Sequence, residues 1–153
     1  MNQHAGSVNS PRRADIIAQL RLRGVRVLNE RVFGADREKQ LLRAKVLLNI
    51  HYHSSSLFET VRMQLVLSLR RFVISESTPD LAAMRDFGGA VVFAPYRGLV
   101  DTVISWLAKT PAQRHAVADR GYDYVTSRTM PSVLRPLLEE AVFKYSGQPC
   151  TYR

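Results

Sequence analysis

The chain has 153 residues, 46% of them hydrophobic, with 22 Lys and Arg against 13 Asp and Glu for a formal net charge of +9. That length holds one domain with a substantial core and is short for two, and the apolar content excludes wholesale disorder. The charge excess suits an anionic partner (nucleic acid, anionic lipid or a phosphorylated small molecule), but the arginines are spread along the chain, with no lysine-rich tail and no aromatic-interleaved patch.

In chain order, "NSPRRADIIAQLRLRG" predicts a helix, with Ser10 as N-cap, Pro11 at the first helical position and Gly24 as terminator. "VRVLNERVF" (25–33) alternates and is β-branched, which predicts a strand. "ADREKQLLRA" reads as a short helix running into "KVLLNIHY", a continuous apolar run of the kind found in strands buried on both faces. Residues 54–69 read as the next helix and "RFVISE" as the next strand. "TPDLAAMRDF" opens another helix, "GAVVFAP" another buried strand, and "YRGLVDTVISWLAK" a helix. In "TPAQRHAVADRGYDYV", Thr110, Pro111 and Gln113 spell a capping box, and a last helix spans about 131–145. Strand and helix alternate throughout, which predicts an α/β domain, doubly wound around a mostly parallel sheet with helices on both faces. Residues 1–10 are set apart as an N-terminal segment, 11–145 form the domain, and 146–153 are a tail.

No apolar run approaches the roughly 18–20 residues that span a bilayer. "MNQHAGSVNSPRR" has no apolar core of a secretory signal. The expected location is the cytoplasm, with peripheral attachment at a membrane as a variant of it. A single cysteine excludes an internal disulfide and a cysteine-rich zinc site. Cys150 lies in the polar tail "SGQPCTYR" and reads as an incidental thiol.

Ligands of parallel α/β sheets bind beyond the carboxyl ends of the strands. The polar stretch 51–59 falls at such a place. A helix beginning near Ser56 offers free N–H groups and a positive dipole end to a phosphate, with Arg62 adding a charge-assisted bond. The competing reading is a capping box between Ser56 and Glu59. His51 and His53 have no third His or Cys at useful spacing, so no metal is expected. His51 reads as a hydrogen-bonding group, toward a ligand or within the loop. Glu76, closing "RFVISE", reads either as a binder of sugar hydroxyls or as a cap on the turn before Thr78. Gly6 and Ser7 in "GSVNSPRR" permit close backbone approach, while Arg12 and Arg13 oppose a helix dipole that a bound anion offsets. Arg70 and Arg71 read as an exposed helix end. No GxSxG, Walker-type loop or GxGxxG occurs.

The series "GSVNSPRRADIIAQLRLRGVRV", "RAKVLLNIHYHSSSLFETVRMQLVLSLRRFVISES" and "VVFAPYRGLVDTVISWLAKTPAQRHAVADRGYDYV" resembles the C-terminal half of GT-B fold glycosyltransferases of the group-1 type, across residues 6–125. The "AKVLLNIHY…LFETVR…FVISE" succession is its most specific part. The resemblance implies a Rossmann-like donor domain that holds a nucleotide-diphosphate sugar, with no further cofactor. It implies that Glu59 contacts the donor sugar and that the loop from His51 to Ser56 faces the diphosphate. Gly6, Ser7 and Arg12 then approach the phosphates from the other side, with Glu76 near the pocket and Arg62 on the phosphates. A second glutamate, which binds ribose in many relatives, is Leu67 here. The strand that feeds the Gly-Ser loop in the family is missing before "MNQHA", and so is the acceptor domain. The expectation is therefore a fragment of a two-domain enzyme, completed by a separate acceptor-domain chain. The alternatives are a non-catalytic nucleotide-binding module and a basic nucleic-acid-binding domain; the lack of stacking aromatics disfavours the latter.

Overall fold

The structure, a computed structural model, describes residues 10–29, 32–53, 58–128 and 130–145. Helix α1 (Pro11–Leu22) follows Ser10 as predicted and closes at Gly24, which adopts φ +75°. Gly24 N–H donates to Arg21 O at 2.9 Å and Val25 N–H to Leu20 O at 3.0 Å. This pair of bonds satisfies terminal carbonyls once a glycine takes the left-handed region. Helix α2 (Gly34–Arg43) precedes strand β1 (Leu47–Asn49), and helix α3 (Thr60–Ser68) precedes strand β2 (Val73–Glu76). Helix α4 (Leu81–Asp86) and strand β3 (Val92–Ala94) follow, and a 3₁₀ turn at Tyr96–Gly98 leads into helix α5 (Leu99–Ala108). Helices α6 (Pro111–Ser127) and α7 (Met130–Tyr145) complete the described chain. The capping box at α6 forms as predicted: Gln113 N–H donates to Thr110 Oγ1 at 3.3 Å and Thr110 N–H to Gln113 Oε1 at 3.0 Å.

The three strands form one parallel sheet in the order β1-β2-β3. Its register pairs Leu48 with Ile74 and Ile74 with Val92. Because side chains alternate across a strand, that row faces one side. There it packs with Ile16 and Leu20 of α1 and with Leu99, Val100 and Val103 of α5. Leu47, Val73 and Phe93 face the other side, where Met63, Val66 and Leu67 of α3 and Tyr124 and Val125 of α6 cover them. Each side chain buried as fully as Ile74 or Leu67 contributes about 1.5–3 kcal/mol. The architecture is α/β with apolar cores on both faces of the sheet. Among the described residues, no helix is long and apolar enough to cross a membrane.

Two sequence expectations need correction. Over its described residues, 25–29 and 32–33, the stretch expected as a strand at 25–33 lies outside the sheet. Val25 and Val27 do turn inward onto the α1/α5 core while Arg26 and Leu28 face outward, so the alternation is present. A strand also needs a neighbour to complete its ladder, and none pairs with this segment among the described residues. The second correction concerns the helix expected over 54–69. It begins at Thr60, anchored by Phe58, whose ring packs 4.9 Å from Phe87 and 5.3 Å from Phe93. Residues 54–57 lie outside the described residues.

Candidate functional site

Strands β1 and β2 end in polar residues, and these meet. Asn49 and Ser75 are register partners on the α3 side of the sheet, and Asn49 Nδ2 donates to Ser75 Oγ at 3.1 Å. Ser75 Oγ donates to the Glu76 carbonyl at 3.0 Å. The same carbonyl lies 3.1 Å from His51 Nε2. A nitrogen facing a carbonyl oxygen must carry a hydrogen, so His51 Nε2 donates to the Glu76 carbonyl.

The Glu76 side chain is buried and doubly held. Its Oε2 accepts from the His51 backbone N–H at 3.0 Å, and its Oε1 takes the Arg12 guanidinium from the start of α1. Arg12 also stacks over the Tyr96 ring, 4.1 Å from its centroid. The Tyr96 hydroxyl donates toward Arg12 O and Asp15 Oδ2, each at 2.9 Å. Burial, then the bond to Asp15, pushes the Tyr96 hydroxyl above its usual range. Two buried polar atoms of this network, Arg12 Nε and His51 Nδ1, have no hydrogen-bond partner among the described residues. Unsatisfied groups of this kind cost about 1–3 kcal/mol each and call for an explanation.

Arg62 and Glu59 reach the edge from the α3 side. They pair at 2.6 Å, and Arg62 Nη1 lies 3.4 Å from Asn49 Oδ1. Arg13 donates through Nε to Ile50 O at 2.9 Å. Burial, and after it the nearby Arg62 charge, holds Arg13 below the usual arginine range. Like charges are thus brought together from α1 and α3. Both helices direct their N-termini to this edge of the sheet, and neither has a side-chain cap bond.

The structure therefore brings Arg12, His51 and Glu76 into one network and links Arg62 and Glu59 to it through Asn49. Gly6, Ser7 and Ser56 lie outside the described residues. The Ser56–Glu59 capping box gives way to a different arrangement: Glu59 is itself the N-cap residue of α3, and its carboxylate turns to Arg62. Arg70 and Arg71 divide: Arg70 is exposed with φ 51°, whereas Arg71 is half-buried and donates to Leu69 O and Leu42 O, each at 2.9 Å. Sequence reasoning missed Asn49, Ser75 and Tyr96. The first two carried a signal, since Asn49 closes the otherwise apolar β1 and Ser75 stands beside Glu76 at the polar end of β2. Among the described residues, no group of three or more His, Cys, Asp or Glu is placed to hold a metal ion.

The chain matches no protein-family model, no curated protein and no solved structure.

Proposed function

We propose that this domain binds a nucleotide-diphosphate sugar at the carboxyl edge of β1 and β2, as the donor half of a glycosyltransferase built on a doubly wound, Rossmann-like sheet. The observation that carries the reading is the convergence there of Arg12, Arg13 and Arg62 from two uncapped helix N-termini around the buried Glu76 and His51. A diphosphate supplies negative charge where like-charged arginines crowd, and it accepts from helix N-terminal N–H groups. Sugar hydroxyls both donate and accept. They complement the carboxylate of Glu59, which is partly exposed beside Arg62. Transfer also needs a surface that holds the acceptor opposite the donor. The role proposed for this domain is donor binding.

One observation favours the narrower reading of a nucleotide-binding module without catalysis. Leu67, at the position of the ribose-binding glutamate in the family that the sequence resembles, is fully buried among Met63, Val66 and Val73. It offers nothing to a ribose. The two readings separate on activity once an acceptor half is supplied, and they agree on binding. Titration calorimetry with UDP, GDP and ADP and their sugar conjugates, with and without EDTA, tests that shared part. Weak binding of one nucleotide, tightened by its sugar and unchanged by EDTA, is the expected result. A flat response to every nucleotide removes the proposal, and strict magnesium dependence removes its metal-free form.

A further inference from the structure

At the opposite edge of the sheet, where the strands begin, a cavity of about 280 Å³ opens between the end of α2, the approaches to β1 and β2, and the first turn of α6. Its wall carries Arg43, Lys45, Arg70, Arg71, Arg114 and His115 and no carboxylate. Two of these cations are engaged in holding the fold. Arg114 is buried and donates to Trp106 O at 2.9 Å and Lys109 O at 2.6 Å, closing the end of α5. Arg71 bridges the Leu69 and Leu42 carbonyls. Arg70 has a distant, exposed partner in Asp119 at 3.8 Å. Arg43 and Lys45 are exposed and have no ion-pair partner among the described residues.

Helix α6 adds to the positive field. It is 17 residues long, its N-terminus abuts the cavity through Pro111, and its first turn contains no acidic residue. Basic side chains at a helix N-terminus oppose the dipole, so Arg114 and His115 lie where the field is already positive. Five cations share the wall of one concavity, two of them held in place by backbone carbonyls, and an anion between them relieves their mutual repulsion.

We propose that this cavity binds a phosphate-bearing anion, at a site separate from the carboxyl edge. Guanidinium forks and an ammonium suit phosphate oxygens. The volume falls just below the roughly 300–1,000 Å³ of pockets that enclose a whole drug-sized ligand. It is ample for a phosphate, a diphosphate or a phospholipid head group.

Histidine ring resonances resolve the two edges of the sheet, because His115 lies at the cavity and His51 and His53 at the other end. Inorganic pyrophosphate is titrated into the wild-type protein and into the Arg43→Gln/Lys45→Gln double variant, whose exposed positions leave the core untouched. The expected result is a saturable shift of His115 in wild type and an affinity lower by roughly tenfold or more in the variant, the scale of two lost charge-assisted contacts. An unmoved His115, or equal saturation in both proteins, overturns the proposal. Co-sedimentation with phosphatidylcholine vesicles, with and without phosphatidic acid, then assigns the source of the phosphate. Pelleting that needs phosphatidic acid and is lost in the double variant assigns a lipid head group. No pelleting beside a retained His115 shift assigns a free phosphate. Movement of His51 or His53 bears on the carboxyl-edge site alone, so the two readings fail independently.

Discussion

The carboxylate of Glu76, at the end of β2, is held by the guanidinium of Arg12, 64 positions earlier at the start of α1. Glu76 is 4% exposed, and the pair docks the first helix onto the strand edge where the candidate site lies. Burying a carboxylate is costly unless it stays paired, and removing one partner of a buried pair costs about 3–5 kcal/mol. The Arg12 side chain is partly exposed, which lowers that figure. Arg12→Leu is therefore expected to destabilise the protein by about 2–3 kcal/mol in urea unfolding. Arg12→Leu combined with Glu76→Leu is expected to recover part of the loss. Additive losses in that cycle would show that the two residues do not act as a pair.

Glu59 separates sugar recognition from nucleotide recognition. Its side chain makes no cap bond and lies 2.6 Å from Arg62. Glu59→Gln is accordingly expected to leave α3 intact and to weaken nucleotide-sugar binding more than bare-nucleotide binding, by about 1–3 kcal/mol for a lost charged hydrogen bond. Parallel calorimetric titrations of the two ligands provide the comparison. Equal losses, or none, exclude Glu59 from sugar contact.

Gly121 marks the close approach of α6 to α3 and to the segment leading into β3. A Cβ built there falls 2.6 Å from Leu67 Cδ2 and 3.3 Å from Ala90 O. Leu67 is fully buried and has little room to yield. Alanine gains about 1 kcal/mol in helix propensity, while overpacking a filled core costs about 1–3 kcal/mol. Gly121→Ala is expected to be destabilising on balance, by about 1 kcal/mol. A rise in the urea midpoint would show that the α3/α6 contact is looser than it stands here.

Tyr124 gives the protein an alkaline signature. Burial first, then its bond to Asp86, pushes the Tyr124 hydroxyl up to about 12. A proton held more tightly in the folded state stabilises that state below the unfolded tyrosine value of about 10, and the benefit is lost as pH rises through about 12. Asp86 responds in the opposite direction. Arg128, then Tyr124, holds its carboxyl below the usual range, so its contribution is present above that range and is lost as acid protonates it. Solvent exposure of Asp86 keeps that acid arm small. The melting-temperature gap between wild type and Tyr124→Phe should be constant from neutral pH to about pH 10 and should close toward about pH 12. A gap independent of pH across that interval contradicts the assignment.

The sequence by itself determined what depends on neighbours along the chain. Gly24 ends α1 because only a residue at ease with positive φ closes that turn, and Thr110 with Gln113 begins α6 through bonds three residues apart. The runs "KVLLNIHY" and "RFVISE" were legible as buried parallel strands, and the polar stretch 51–59 together with Glu76 placed the candidate site at the carboxyl edge. Tertiary structure decided what depends on partners far away in sequence. Residues 25–29 keep the alternation of a strand yet are not one, since an extended segment becomes a strand only where another lies beside it. The start of α3 moved to Thr60, where Phe58 is fixed by Phe87 and Phe93 rather than by any local cap. Arg12 finds Glu76, Arg62 finds Asn49, and the basic cavity gathers its wall from α2, the approaches to two strands, and α6. Periodicity and capping act over one or two turns of chain, whereas a charge pair or a cavity exists only once topology has brought its members together.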